Sequence, residues 1–238
     1  MEWTAEGLLI GVRRHGETSV IAEGMLVDHG RCLGLVRGGR SSRVAPSLQP
    51  GNTLRFTWRA RIEDHLGTFS AELLEARAAA LMEDRAKLYL AQLVFEHLRL
   101  LPEREPHNRL LALALGMLDR AAPDARELLA FELALLDDLG FGLDLASCAA
   151  TGGVDDLVYI SPKSGRAVSR EAGKPYAERL LPLPAILAGT QLPATREEIE
   201  AAFAVTGYFL DSHLWRPRRI PPPPTRAPLV ALLTYNPR

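Results

Sequence analysis

The stretch Thr53-Leu54-Arg55-Phe56-Thr57-Trp58-Arg59-Ala60-Arg61 has the clearest β-strand pattern in the chain. Because successive side chains of a strand point to opposite faces, its apolar residues share one face and its arginines share the other. The apolar face, which carries Phe56 and Trp58, suits a protein core. We therefore predict a strand at 53–61 whose aromatic side chains are core residues, not base-stacking platforms, and whose guanidinium groups face outward.

A wider segment around this strand, residues 31–61, is rich in arginine and contains no Asp or Glu. Guanidinium groups make forked contacts with phosphate oxygens, so the segment predicts a β-surface that binds a nucleic-acid backbone. The alternative is a solvated strand face whose arginines pair with acids elsewhere in the chain. The candidate DNA-binding residues are Arg31, Arg37, Arg40, Arg43, Arg55, Arg59 and Arg61.

The composition limits the class of protein. With 238 residues, 47% of them hydrophobic, the chain suits one large domain or two modest ones. The net charge of −1 means that any nucleic-acid site must be local. The N-terminus lacks a secretory pattern, and the longest nearly apolar run, 110–118, is too short to span a bilayer. We expect a cytoplasmic protein.

Residues 1–78 read as five short strands separated by glycine-containing turns. Leu8, Ile10 and Val12 alternate in the first strand, whereas 20–27 is apolar on both faces. Five short strands with no helix long enough to cover a sheet favour a small closed barrel. The OB-fold is the barrel of this size that most often binds nucleic acids, so we predict an OB-fold domain here.

The pattern changes to helices near residue 79, which gives an α+β protein of more than one domain. We predict an all-helical domain at 79–215, with helices that end before Pro102, run from 107 to 121, and open at Pro123. The helices are apolar over more than half their circumference, so they either pack against each other or leave a groove for a partner. Into this domain a β-hairpin is inserted at about 155–170.

Two further features mark the end of the chain. A capping-box signature at Thr195 starts a helix that runs to about Trp215. The tail 216–238 is rich in proline and arginine, and its four successive prolines, 221–224, predict an extended polyproline segment and not a helix.

The residues that could carry catalysis are few. The chain has no phosphate-cradling loop and no nucleophile elbow, and its six histidines include no pair at metal-ligand spacing. Two cysteines, Cys32 and Cys148, exclude a disulfide framework and a four-thiolate zinc site. Glu132 stands out within a leucine-rich helix, where it either pairs with an arginine or lines a partner groove. We expect no enzyme and no cofactor.

An ordered set of short motifs extends over nearly the whole chain. In the barrel they are Arg14-His15-Gly16-Glu17, Asp28-His29-Gly30 and Gly38-Gly39-Arg40. Further along they are Leu101-Pro102-Glu103, Phe131-Glu132-Leu133, Leu139-Gly140-Phe141, Leu143-Asp144-Leu145 and Ser161-Pro162-Lys163-Ser164-Gly165. With the domain layout, this set resembles the bacterial RecO family of DNA repair and recombination mediators.

The resemblance implies an OB-fold followed by a helical domain, without a catalytic centre. Such proteins bind single- and double-stranded DNA and anneal complementary strands. They work with RecR, and often RecF, to help RecA replace single-strand binding protein (SSB), whose acidic tail they bind. The resemblance thus implies a nucleoid-associated protein. Candidate cations for the SSB tail are Arg85, Lys87, Arg99, Arg104 and Arg109.

This chain departs from the family pattern at the zinc site that some members carry. Only Cys148 stands there, and Gly152 fills the place of a second ligand, so we expect no metal. Two alternatives stay open for the function: a protein–protein adaptor that acts through its leucine-rich helices, and an RNA-binding OB-fold protein.

Overall fold

A computed structural model describes residues 1–62, 65–190 and 192–235. By packing, the chain divides into two compact units, Met1–Ala122 and Pro123–Arg238, each of which is described by itself. Strands give way to helices at Ala78, where the sequence pattern changes. The predicted domain borders stay predictions.

The first unit contains a five-stranded antiparallel barrel with one parallel closure. Its strands are β1 (Glu2–His15), β2 (Ser19–Leu26), β3 (Gly30–Val36), β4 (Thr53–Arg59) and β5 (Thr68–Glu75). The order is β1-β2-β3-β5-β4, and the ring closes through β1 with β4 and through a short parallel contact between Leu35 and Thr68. The α+β class with an N-terminal OB-fold barrel is thereby confirmed.

The strand at 53–59 packs as its alternation predicts. Leu54, Phe56 and Trp58 are buried in the barrel core, while Arg55 and Arg59 are exposed. The aromatic pair are core residues, as predicted.

Three helices belong to the same unit: α1 (Ala78–Glu83), α2 (Arg85–Leu98) and α3 (Asn108–Leu118). α2 packs against β1 and α3 against β2. Leu8, Leu9 and Ile10 are therefore all fully buried, so both faces of this part of β1 are covered, which the alternation of Leu8, Ile10 and Val12 alone does not indicate. The helices are apolar around most of their circumference because they contact the barrel as well as each other.

The second unit is mainly helical. Its helices are α4 (Ala125–Asp138), α5 (Arg170–Gly173), α6 (Arg196–Leu210), α7 (Arg216–Arg218) and α8 (Arg226–Tyr235). Asp124 caps α4 through the N–H groups of Arg126 and Glu127, so Pro123 precedes the helix and does not form its first turn. The capping box at Thr195 is confirmed, and α6 continues through a π-helical turn, Asp211–Trp215, into α7.

The predicted hairpin is present and has a third strand. β6 (Leu157–Ile160) pairs with β7 (Ala167–Ser169) on one side and with β8 (Leu181–Pro182) on the other. A 3₁₀ turn, Lys174–Arg179, connects α5 to β8.

The C-terminal segment differs from the prediction. Residues 220–223 have no regular structure, but the chain then forms α8, whose Leu229 and Leu233 are buried. The four successive prolines end before the first helical residue, and Pro228 lies in the first turn of α8, where a missing N–H does not break the helix. Within the described residues, no helix combines the length and the apolarity needed to cross a bilayer.

Candidate nucleic-acid interface

The outer face of β4 carries ion pairs, not free cations. Arg55 contacts Glu6 at 3.2 Å and Glu72 at 3.1 Å, and Arg59 contacts Glu2 at 2.7 Å. The hydrogen bond with Glu6 raises the pKa of Arg55, and the hydrogen bond with Glu2 raises the pKa of Arg59. These acids lie directly opposite on β1 and β5, far away in sequence. For these two arginines the structure shows the alternative interpretation, pairing with acids elsewhere.

Arg31 is also engaged within the protein. Its guanidinium pairs with Glu23 at 2.8 Å and Glu103 at 3.4 Å, and its Nε donates to the carbonyl of Leu101 at 2.9 Å. Its side chain is only 16% exposed. Arg31 therefore joins β3 to the segment between α2 and α3.

The loop between β3 and β4 presents its arginines to solvent. Arg37, Arg40 and Arg43 are exposed, and Arg37 and Arg43 form no ion pair with any residue that the structure describes. The Arg40 backbone N–H donates to the carbonyl of Thr18 at 3.0 Å, and its guanidinium donates to the carbonyl of Glu17. The loop is thus held against the β1–β2 turn. Arg61, just after β4, is exposed as well.

Two further arginines lie at this end of the barrel. Arg13 and Arg14 are exposed on the last residues of β1. Arg14 pairs with Val20 and Val20 with Val36, which brings the end of β1 beside the start of the arginine loop. We call Arg13, Arg14, Arg37, Arg40 and Arg43 the basic end of the barrel.

The basic end has little compensating charge in its own segments. In residues 13–19 and 37–48, Glu17 is the single acid. Sequence reasoning did not include Arg13 and Arg14 among the site residues, although their adjacency beside a glycine turn was a usable signal. Arg13 and Arg14 become part of a larger basic surface only because the loop between β3 and β4 folds beside the end of β1.

The five candidate partner-binding cations do not share one site. Arg85 lies over the Tyr89 ring, 5.2 Å from its centroid, and Arg99 pairs with Glu23 at 3.0 Å. Arg99 also lines an apolar cavity of about 280 Å³ between β1, α1 and α2. Lys87 is half-buried and Arg109 is exposed. Of the five candidate cations, Arg99 alone lines that cavity.

Arg104 lines a different cavity, one wall of which is a column of stacked aromatic rings. Trp3 stacks on His29 with centroids 4.0 Å apart and on Trp58 with centroids 5.5 Å apart. The Arg104 guanidinium lies 5.4 Å from the Trp58 centroid. The cavity is lined by these side chains together with those of Asp28 and Cys32. Burial raises the pKa of Cys32 to about 11, so this thiol stays protonated.

Cys148 occupies a polar setting in the second unit. The buried Sγ accepts the N–H of Ser169 at 3.3 Å and lies 3.5 Å from its Oγ. Hydrogen bonds from the hydroxyls of Ser169 and then Thr151 lower the pKa of Cys148 to about 6. Across the described part of the chain, no three His, Cys, Asp or Glu side chains come together as metal ligands.

Family comparison covers almost the whole chain. Residues 1–77 match the family model described as Recombination protein O N terminal, and residues 82–220 match Recombination protein O C terminal. A protein of Chelativorans named DNA repair protein RecO is 52% identical over 99% of this chain and 97% of its own length. Proteins with that name from Brucella abortus (52% identical, over 95% of this chain and 94% of their own) and Methylorubrum extorquens (51%, over 98% and 99%) are similar too.

Proposed function

The chain belongs to the RecO family of DNA repair proteins, and from that premise we propose that it is a non-enzymatic, DNA-binding recombination mediator. The observation that carries the proposal is the basic end of the barrel. It places five exposed arginines on two adjacent segments that contain one acid between them. Such a surface attracts phosphates without requiring any base sequence.

The proposed mechanism is electrostatic. Arginines of the basic end hold the phosphates of one strand, and screening by these charges lowers the repulsion that a second, complementary strand meets. The bases of both strands stay free to pair, which is what annealing requires. Arg55 and Arg59 contribute less in this proposal, because DNA must first displace the carboxylates of Glu6, Glu72 and Glu2.

The test is the salt dependence of single-strand binding. If about four phosphates are contacted, the log–log slope of affinity against salt is near −3, at about −0.7 per phosphate. Replacing Arg37 and Arg43 together with Ala should flatten the slope by about 1.4 units and weaken binding to all sequences alike. The matched control is Arg55→Ala with Arg59→Ala, which removes the same formal charge and should flatten the slope by less.

Two outcomes oppose the proposal. An unchanged slope in the folded Arg37/Arg43 variant would place DNA binding elsewhere in the chain. No affinity for single-stranded DNA even at low salt would favour the protein–protein adaptor. Competition between DNA and RNA strands of one sequence decides whether the preferred ligand is RNA.

We further propose that the protein acts with RecR and RecF to help RecA load onto DNA coated with SSB, at the nucleoid. The SSB tail would insert its terminal aromatic ring into the apolar cavity between β1, α1 and α2. That cavity has Leu88 and Phe95 on its wall and Arg99 at its lining, where a carboxylate of the tail would compete with Glu23 for the guanidinium.

A titration with a fluorescent SSB tail peptide tests this partner. Binding should fall at least tenfold when Leu88 is replaced with Glu, and by a similar factor when the terminal phenylalanine is deleted from the peptide. Arg109→Ala serves as a control, because Arg109 does not line the cavity. Equal binding by the full and the shortened peptide would contradict the assignment.

A further inference from the structure

The aromatic column runs from the barrel core to its surface. Trp58 is buried at 2% exposure, Trp3 lies opposite it on β1, and His29 lies in the β2–β3 turn. Opposite residues of an antiparallel pair point to the same face, so the two indoles share the inward face. Trp3 and His29 are half-buried and carry the stack outward. The planes are within 15° of parallel, which gives a continuous π-surface.

Two polar side chains are fixed beside this column. Asp28 has φ +60, its N–H donates to Asn108 at 2.9 Å, and one carboxylate oxygen accepts from the Asn108 amide at 2.6 Å. Its other oxygen accepts no hydrogen bond from the described residues. Arg104 has φ +64, donates to the carbonyl of His65 at 2.7 Å and lies over Trp58.

Both backbone conformations lie in the left-handed region, which is unfavourable for residues with a Cβ. Strain of this kind persists only where surrounding contacts hold it. Here the contacts hold a carboxylate and a guanidinium at the mouth of an aromatic cavity.

The cavity has room for more than a single water. The cavity has a volume of about 80 Å³, whereas one water needs roughly 10 to 15 Å³. Because Asp28 is exposed and Trp3 and His29 are only half-buried, the cavity opens to solvent, and a flat base can enter it by one edge.

We propose that this cavity takes one unpaired nucleobase of single-stranded DNA, and favours a base with an exocyclic amino group. The base stacks on His29, the outer end of the aromatic column, as unpaired bases do on aromatic planes. The free oxygen of Asp28 accepts the amino group, and Arg104 donates to a neighbouring ring acceptor. A phosphate is disfavoured because Asp28 would repel it. Cytosine fits these groups, and thymine lacks the amino group.

This inference rests on the proposed DNA binding and adds base preference to it. The basic end of the barrel holds backbone, which is the same for every base, whereas the cavity distinguishes one base from another. The two contributions can therefore be measured separately.

The test compares fifteen-residue oligonucleotides of deoxycytidine and of thymidine at neutral pH. The wild-type protein should bind the deoxycytidine strand at least roughly tenfold more tightly, as one hydrogen bond to a charged group provides. Asp28→Asn should bring the ratio close to one, because an amide presents no anionic acceptor. Asn tolerates a positive φ, so the turn is preserved.

A second variant tests stacking. His29→Ala should weaken both strands by roughly tenfold, in line with the loss of a base–aromatic contact. The control, Arg37→Ala with Arg43→Ala, should weaken both strands and leave their ratio unchanged. Tryptophan fluorescence should be quenched by the deoxycytidine strand in the wild type and less so in His29→Ala. Free deoxycytidine at millimolar concentration should quench weakly, which separates a base held within a strand from a free nucleoside.

The outcomes separate the two claims. Failure to bind either strand overturns the proposed function itself. If both strands bind with the expected salt slope but the ratio is the same in wild type and Asp28→Asn, and His29→Ala binds normally, then the base site is wrong and the DNA-binding function stands.

Discussion

Glu132 has no exposed surface, yet its carboxylate is fully satisfied. One oxygen accepts Arg226 Nε at 2.7 Å, and the other accepts Arg226 Nη2 at 2.9 Å and the Thr206 hydroxyl. The guanidinium also donates to the carbonyl of Phe203 at 3.0 Å. A bidentate buried pair of this kind joins α4, α6 and the start of α8. Pairing with an arginine was one of the two interpretations of Glu132 that the sequence allowed, and the partner's identity, 94 residues away, required the fold.

Replacing Arg226 with Met should destabilise the protein by about 3 to 5 kcal/mol, because the buried carboxylate loses its counter-charge. Arg196→Met is the matched control: its pair with Glu200 is largely exposed on α6, and its loss should cost less than about 0.5 kcal/mol. Urea unfolding midpoints measure both. Adding Glu132→Leu to Arg226→Met should restore part of the loss. Equal midpoints for the two single variants would show that the buried pair contributes nothing.

Cys148 should make stability depend on pH. Its folded pKa is about 6, below the ordinary value of 9.0, so the folded state favours the thiolate. A depressed pKa gives stability that is present above the unfolded pKa and lost as pH falls toward the folded one. The stability difference between wild type and Cys148→Ala should therefore grow between about pH 6 and pH 9. Urea midpoints at three pH values check this, and a difference independent of pH would contradict it.

At the scale of elements, β3 is bounded by two glycines with the same backbone angle and different surroundings. Gly30 has φ +65 and Gly38 has φ +64. A Cβ on Gly30 would lie 1.8 Å from the carbonyl oxygen of Glu105, whereas a Cβ on Gly38 would meet nothing within 4 Å. Gly30 thus allows the α2–α3 segment to run against the start of the strand.

Gly38→Ala should cost only about 1 kcal/mol, the strain of a left-handed alanine. Gly30→Ala should cost at least about 2 kcal/mol more, because the backbone of Glu105 must move. Thermal or urea unfolding measures the free energy of unfolding of both variants. The difference between the two losses gives the cost of the steric clash, since both alanines have the same backbone strain. If both variants lost the same stability, the backbone of the α2–α3 segment would move aside at little energetic cost.

Strands and helices differ in how well the sequence predicts them. The alternation at 53–59 gave β4 and its buried face, and the capping box gave the start of α6. The sequence pattern of β1 did not predict that its outer face is buried, because that burial depends on packing against α2. Nor did it reveal the acids beside Arg55 and Arg59, because they come from other strands. Cross-strand neighbours follow from register, which a single strand does not contain.

At the scale of the whole molecule, charge is distributed unevenly. A net charge of −1 coexists with the basic end of the barrel, so nucleic-acid affinity cannot be read from composition. The match to the C-terminal family model ends at residue 220, and α8, which lies beyond that match, supplies the partner of Glu132. Composition indicated a proline- and arginine-rich tail, and the helix in it was missed because four prolines dominated the pattern.

A chain that ends after Ile220 should lose several kcal/mol of stability in its second unit. The truncation removes the counter-charge of Glu132 and the buried side chains Leu229 and Leu233, each worth about 1.5 to 3 kcal/mol. Urea unfolding followed by far-UV circular dichroism checks this. A chain that ends after Tyr235 is the control, because it keeps every described residue. If the shorter chain unfolds at the same urea concentration as the control, then α8 is dispensable.

The proline run before α8 acts as a short, stiff tether. Prolines restrict the chain when the helix is detached, so docking loses less freedom than it would behind a glycine linker. A tether this short also keeps Arg226 near Glu132 at an effective concentration in the millimolar range or above. A separate α8 peptide would therefore have to reach millimolar levels before it displaced the helix of its own chain.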